Sequence, residues 1–125
     1  MSSAYCADMT PQELKDRTKR FAVNIIELCR DLPTTVDGRA VGQQLIRCGT
    51  GVAANYRASC RARSWAEFIA KLGIVEEETD ESLFWLELIV DSKLLPRNRV
   101  ERLLIEADQL TAIMVASVRT AKRQS

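Results

Sequence analysis

Two blocks of opposite charge are the part of this sequence best suited to chemistry. From Arg39 to Arg63 all five charged residues are arginines, and from Glu76 to Asp91 all seven are acids. Guanidinium groups bind phosphates through two parallel hydrogen bonds, and carboxylates are ligands that Mg²⁺ accepts. The two blocks can also neutralise each other, and then neither of them is a binding site.

A chain that turns back near Arg63 sets Arg47 near Glu77 or Glu78, and Arg57 near Glu67. Exposed pairs contribute only ~0–1 kcal/mol each, so such pairs would set helix register more than stability. Two interpretations stay open: arginines paired within the chain or across a subunit contact, and an arginine face for phosphates. The candidate nucleic-acid or partner contacts are Arg47, Arg57, Arg61, Arg63, Arg119, Lys122 and Arg123.

Residues that commonly carry catalysis are scarce. The sequence contains no His, which removes the commonest general base and the standard di-iron bundle site. Gly49-Thr50-Gly51 lacks the preceding strand and the following Lys-Ser/Thr of a phosphate-binding loop. We therefore predict no catalytic, cofactor-binding or metal-binding residues, no cofactor and no small-molecule substrate, and a solvated acidic face is favoured over a carboxylate-only Mg²⁺ site. The four cysteines form no CxxC pair and are expected to be reduced thiols: Cys6, Cys29, Cys48 and Cys60.

Asn55 is a polar residue on an otherwise apolar helical stripe, next to Tyr56. A buried amide must find hydrogen-bond partners. Asn55 is therefore expected either to fix a kink or helix register through a local hydrogen bond, or to face a partner. The first alternative is favoured.

The elements that must position these residues are four amphipathic helices. Apolar residues recur at steps of three and four, and strand signals are absent. Thr10-Pro11-Gln12-Glu13 and Ser64-Trp65-Ala66-Glu67 are predicted capping boxes, and Pro33 and Pro96 are predicted to end helices. The expected helices cover about 11–32, 39–61, 65–95 and 98–122.

Short connections between these helices predict an all-α, antiparallel up-down-up-down four-helix bundle. The 125 residues fit a single domain, 1–125, and hydrophobic residues make up 46% of it. Phe21, Leu72, Leu86 and Leu110 are expected to meet in the core. Neither a signal peptide nor a membrane-spanning stretch is visible, so a cytoplasmic location is expected, with no membrane partner.

The middle of the chain resembles a known family. Leu45–Ala58, Arg61–Leu72 and Glu76–Glu87 are similar to the signature of the four helix bundle protein family, also called 23S rRNA-intervening-sequence proteins. The resemblance extends over roughly Leu14 to Arg119. Its motif positions here are Arg47, Gly49, Asn55, Arg57, Arg63, Glu67 and Phe68, and the residues assigned structural roles are Gly49, Gly51, Asn55, Tyr56, Glu67, Glu77, Glu78 and Glu81.

The resemblance implies a four-helix bundle that assembles into a homo-oligomer, typically a pentameric ring, and it offers no catalytic residues. Some members are encoded inside inserts in ribosomal RNA genes. A related branch comprises accessory proteins of diversity-generating retroelements, which work with a reverse transcriptase and its RNA. The net charge of +1 departs from that basic branch.

Two functions follow as hypotheses. The first is a non-enzymatic oligomeric scaffold or interaction protein, with apolar residues outside the main seams as subunit contacts. The alternative is an RNA- or DNA-binding accessory protein that uses the arginines of the second helix. The apolar residues expected at subunit contacts are Ile26, Ile69, Ile74, Leu88 and Ile105.

Overall fold

A computed structural model describes residues 9–125, and all regular secondary structure in this part is α-helical. Consecutive helices run antiparallel and pack side by side, and the last helix returns to the first. The fold is therefore the predicted up-down-up-down bundle. The helices are α1 Pro11–Cys29, α2 Val36–Ser59, α3 Trp65–Asp91 and α4 Arg97–Gln124.

Side-chain caps explain where α1 and α3 begin. The Thr10 hydroxyl accepts from the Glu13 N–H at 3.1 Å, and the Glu13 carboxylate accepts from the Thr10 N–H at 2.8 Å, so the first capping box is confirmed. At α3 the Ser64 hydroxyl accepts from the Glu67 N–H at 3.1 Å. The Glu67 carboxylate accepts at 2.7 Å from the N–H of Arg63, one residue before the expected donor.

The start of α2 differs from the prediction. The second helix begins at Val36, three residues before the expected start at 39, and includes part of the expected connector. Thr35 is the cause, because its hydroxyl accepts from the Gly38 N–H at 3.2 Å and satisfies a free donor of the first turn. The carboxylate of Asp37 also accepts from this N–H at 3.0 Å.

Other helix ends also differ from the expected ones. Helix α1 ends at Cys29 rather than 32, α2 ends at Ser59 rather than 61, and α4 extends from Arg97 to Gln124, two residues beyond the expected end at 122. Helix α3 ends at Asp91, four residues before the predicted end at 95. There Lys93 adopts φ 62°, and the Leu94 N–H donates to the Ile89 carbonyl at 3.0 Å. This is a Schellman motif with Lys at the left-handed position that Gly usually occupies.

The apolar seams of the four helices form one core. Phe21, Leu72, Leu86 and Leu110 are each at most 2% exposed, as predicted. Trp65, the first residue of α3, lies at the edge of this core and is 43% exposed. Among residues 9–125, none of the helices is long and apolar enough to cross a lipid bilayer.

Glycines allow α2 to approach both of its neighbours closely. A Cβ at Gly49 would lie 2.9 Å from Cγ2 of Ile25 in α1, and a Cβ at Gly51 would overlap the carboxylate of Glu78 in α3. Gly73 of α3 has open space at the same position. Helices α1 and α4, in contrast, approach each other far less closely than the other adjacent pairs.

These environments predict opposite effects for the same substitution at two helix-interior glycines. Gly73→Ala should raise the free energy of unfolding by about 0.5–1 kcal/mol, because Ala loses less backbone entropy and nothing obstructs its methyl group. Gly49→Ala should lower it by about 1 kcal/mol net, because Ile25 is fully buried and must shift. Urea unfolding of both variants measures the difference, and equal stabilisation by both would contradict the close approach at Gly49.

Candidate interaction surfaces

An ion-pair network joins α2 to α3 at Arg47. The Arg47 guanidinium lies 3.6 Å from a carboxylate oxygen of Glu78 and also pairs with Glu81. Glu81 additionally accepts from the Trp85 indole N–H at 3.2 Å. The prediction that Arg47 lies near Glu77 or Glu78 is confirmed for Glu78, whereas Glu77 faces outward and is exposed. Arg47 is thus held by acids of its own chain.

Glu78 sits in a tight environment beside Gly51, and its side chain is only 16% exposed. Burial raises the pKa of the Glu78 carboxyl above its usual 4.5, and the nearby Arg47 guanidinium opposes that rise. Gly51 and Glu78, which were both predicted to have structural roles, therefore lie against each other where α2 packs on α3.

Four cations without ion pairs share a cleft between α1 and α2, which we call the basic cleft. Lys15 and Lys19 lie one turn apart on α1, and Arg57 and Arg61 lie opposite on α2 and just beyond its end. None of the four side chains forms an ion pair with any residue in the described part of the chain. The expected pairing of Arg57 with Glu67 was wrong, since Glu67 caps α3 instead.

The floor of the basic cleft consists of small side chains, and its volume is about 440 Å³. Short side chains on the floor leave room for a bulky group between the cationic walls. The floor residues are Thr50, Ala53 and Ala54 of α2. Asp16 also lines the cleft, and its carboxylate accepts from the Gln12 amide at 3.0 Å.

The other predicted cations lie at the same end of the bundle. Arg63 stands at the α2–α3 turn, and Arg119, Lys122 and Arg123 are exposed on the last turns of α4. The Trp65 indole N–H donates to the Ala121 carbonyl at 3.0 Å, which ties the end of α4 to the start of α3. The structure thus brings these cations and the basic cleft to one end, and it separates them from Arg47.

Asn55 and Tyr56 have local roles. The Asn55 side-chain amide donates to the Gly51 carbonyl at 2.9 Å, one turn earlier in α2, which is the kind of local hydrogen bond expected. Asn55 is half-buried, whereas Tyr56 is the buried residue of the pair, with 6% exposure. A short distance earlier, Gly49 packs on Ile25.

Helix α3 has a second face that is directed away from the core and carries both apolar and acidic residues, which we call the outer face of α3. It consists of Ile74, Glu77, Glu81, Phe84 and the half-buried Leu88, spaced three and four residues apart. Phe84 is 52% exposed and Ile74 is 38% exposed. The Phe84 ring packs edge-on against Trp85 with centroids 5.0 Å apart. Large exposed apolar side chains on one helix face are typical of an interface.

The cysteine thiols of α1 and α2 are poorly suited to nucleophilic chemistry. Burial raises the pKa of Cys29 to about 11, and burial also raises the pKa of Cys48. A thiol with a raised pKa carries little of the reactive thiolate at neutral pH. Cys60 is exposed, and all three are free thiols, whereas Cys6 lies outside the described residues.

Comparison with known proteins places this bundle in a family. The sequence profile of the family described as 23S rRNA-intervening sequence protein matches residues 12–116. The chain belongs to this family. No curated protein matches it. A solved structure from Bacteroides thetaiotaomicron, described as a protein with unknown function from the S23 ribosomal protein family, is similar with a TM-score of 0.79 and 29% sequence identity. That match covers 85% of this chain and 98% of the other.

Family membership confirms the resemblance seen in the sequence. It brings no established activity with it, since the solved relative is itself described as having unknown function.

Two cations of the basic cleft were not among the contact residues predicted from the sequence of this intervening-sequence family member. Lys15 and Lys19 are one turn apart on α1, and that spacing was the available signal.

Removing Arg47 should make stability depend on pH through Glu78. Without the guanidinium, the pKa of Glu78 should rise further above 4.5, because burial is then unopposed. A carboxyl whose pKa is higher in the folded state stabilises that state at low pH and loses this contribution as pH rises through its folded pKa. We expect Arg47→Gln to cost about 1 kcal/mol at neutral pH, and progressively less toward about pH 4.

Urea unfolding at several pH values measures this effect. Arg39→Gln is the matched control, because Arg39 is exposed on the same helix and forms no ion pair with the described residues. A deficit for Arg47→Gln that stays constant across the acid range would contradict the assigned contact with Glu78.

Proposed function

We propose that this family member is a non-enzymatic interaction protein that assembles with copies of itself through the outer face of α3. The observation that carries the proposal is the apolar character of both sides of α3. Its inward residues Leu72, Val75 and Leu86 are at most 2% exposed, yet Ile74 and Phe84 point outward. A helix with apolar residues on opposite sides is typical of one that packs on two sides.

A second copy is the favoured occupant for two reasons. The family resemblance implies a homo-oligomer, with a ring of five as its typical form. The exposed acid of the outer face, Glu77, is matched in charge by the cations of the basic cleft, which every copy carries. Complementary charge patches favour a specific orientation of association.

The proposal of a non-enzymatic role rests on the chemistry of the surfaces. Among the acids of α3, Glu78 and Glu81 pair with Arg47, Glu67 caps the helix, and Glu77 is exposed. The exposed Glu77 lies on the face that also carries Phe84, which suits recognition of another surface. The thiols of Cys29 and Cys48 have raised pKa values, and a base to activate them would have to be a residue other than His.

Analytical ultracentrifugation tests the self-assembly. The wild-type protein should sediment as a multiple of 14.1 kDa. Ile74→Ser combined with Phe84→Ser should weaken the association constant at least about tenfold, since each buried apolar side chain contributes about 1.5–3 kcal/mol.

Val36→Ser is the control for this test. Val36 is 88% exposed at the first residue of α2, at the opposite end of that helix from the basic cleft, and its loss should leave assembly unchanged. A wild-type protein that stays monomeric at high micromolar concentration would rule the proposal out.

The basic cleft supports a second function, binding of the phosphate backbone of RNA or DNA. Lys15, Lys19, Arg57 and Arg61 come from two helices and form no ion pairs with described residues, so they are available to phosphates. Arg47 is the weaker candidate of the original set, because Glu78 and Glu81 neutralise it.

A salt titration of RNA binding tests this second function. For a single strand, each phosphate contact contributes about 0.7 to the slope of log affinity against log salt. Arg57→Gln combined with Arg61→Gln should therefore reduce the slope by roughly 1.4 and weaken binding at low salt. Arg47→Gln should leave the slope unchanged. Binding that is absent at low salt, or equally reduced by both variants, would exclude the basic cleft as the site.

A further inference from the structure

A pocket with aromatic walls opens at the turn between α2 and α3, and we call it the aromatic pocket. Its volume is about 480 Å³. Trp65 and Phe68 of α3 line it, together with Tyr56 near the end of α2 and Arg63 of the turn. Trp65 is 43% exposed, so this side chain offers open surface to a molecule outside the bundle.

The Trp65 ring is fixed by two contacts inside the protein. Its indole N–H donates to the Ala121 carbonyl at 3.0 Å, and its centroid lies 5.2 Å from that of the Phe68 ring at an angle of 31°. Phe68 is half-buried and packs against the core. An exposed ring that is already held in place loses little conformational entropy when a flat group stacks on it. Trp65 is therefore suited to stacking.

The aromatic pocket adjoins the basic cleft along two elements of the bundle. At the start of α1, Pro11 lines the pocket and Gln12 lines the cleft; after α2, Cys60 lines the pocket and Arg61 lines the cleft. Arg63 adds a cation to the pocket itself, and its side chain forms no ion pair with a described residue. Phosphates in the basic cleft would thus lie beside a surface for a flat aromatic group.

We propose that Trp65 stacks on an unpaired base of a single-stranded nucleic acid whose phosphates lie in the basic cleft. This inference rests on the second proposed function, nucleic-acid binding by that cleft, and it adds a choice of strand type. The bases of a duplex are stacked on each other, whereas the bases of a single strand are free to stack on aromatic side chains. The site therefore selects single strands.

The hydroxyl groups of the pocket are engaged within the protein. The Ser64 hydroxyl accepts from the Glu67 N–H at 3.1 Å, and the Ser59 hydroxyl donates to the Tyr56 carbonyl at 2.6 Å. The ring face of Trp65 is thus the main surface that the pocket offers to a base. Every base has such a flat face, so stacking of this kind tolerates any sequence. We expect little preference among the four bases.

Fluorescence anisotropy with a short uridine homopolymer and with an RNA duplex of equal length tests the proposal. Trp65→Leu should weaken binding of the single strand at least about fivefold, because one stacked base is lost. It should leave the slope of log affinity against log salt unchanged, because it removes no cation. Duplex binding should be the same in this variant and the wild type. Trp65→Phe is the conservative variant and should keep most of the affinity, since it retains an aromatic face.

Tryptophan fluorescence tests the stacking directly and requires no change at Trp65. The chain has two tryptophans, so Trp85→Phe leaves Trp65 as the sole emitter. The uridine homopolymer should quench this variant, because a stacked base quenches indole emission. Trp65→Phe is the matched control: it leaves Trp85, which lies on the α2–α3 side beside Glu81, and its emission should not change.

The outcomes separate this proposal from the function on which it rests. RNA binding that needs Arg57 and Arg61 but shows no Trp65 quenching and no loss in Trp65→Leu would overturn the stacking and leave the basic cleft as a binding site. Absence of binding at low salt would overturn both. An equal loss of duplex binding in Trp65→Leu, or a changed sedimentation coefficient, would give Trp65 a structural or subunit-contact role instead and would also overturn the stacking.

Discussion

Helix α2 must pack closely against α1 and α3 at once, and the glycines of its central turns make that approach possible. Gly49 lies against the buried Ile25 of α1, and Gly51 lies against Glu78 of α3. Protein interiors are close-packed, so a side chain at Gly49 would displace the buried Ile25, and one at Gly51 would displace the Glu78 carboxylate. The Arg47 ion pairs and the buried Cys48 lie in the same stretch, and their geometry depends on this packing.

The seam between α1 and α4 is built differently. Its helices are joined by long side chains, Arg17 to Glu106 and Arg99 to Asp31, and their backbones stay apart. The closely packed α1 and α2 present small residues between their cations, whereas Arg17 and Arg99 bridge α1 and α4 above the buried Phe21 and Leu28. The bundle therefore carries cations on both sides of α1 in different surroundings.

Local signals made most of the fold predictable from the sequence. The Thr10 capping box and the seam through Leu72 and Leu86 depend on residues three and four apart, so the number of helices and the core were predicted correctly. The end of α3 was not predicted correctly, because the residue with left-handed backbone geometry there is Lys93 and no glycine marks the position. The start of α2 was missed because Thr35 was assigned to the connector.

The candidate sites were less predictable, because they depend on which helices are neighbours. The charge pattern along the sequence predicted ion pairs only between α2 and α3, and the Arg47 network is one of them. The basic cleft requires Lys15 and Lys19 of α1 to face Arg57 of α2, and the ion pairs between α1 and α4 join residues at least 68 positions apart. A net charge of +1 conceals both arrangements, since it sums paired and unpaired groups alike.

The same separation of paired and unpaired charges constrains how copies of the chain can associate. A two-fold contact of the outer face of α3 with itself would bring the exposed Glu77 of one copy close to the acids of its partner's outer face, and juxtaposed like charges oppose association. Contact with a different, cationic surface avoids this repulsion and buries Phe84 equally well. Contacts between unlike surfaces are heterologous, and they produce closed rings when the rotation between copies closes. The charge pattern of α3 thus favours the head-to-tail geometry that a ring of copies requires.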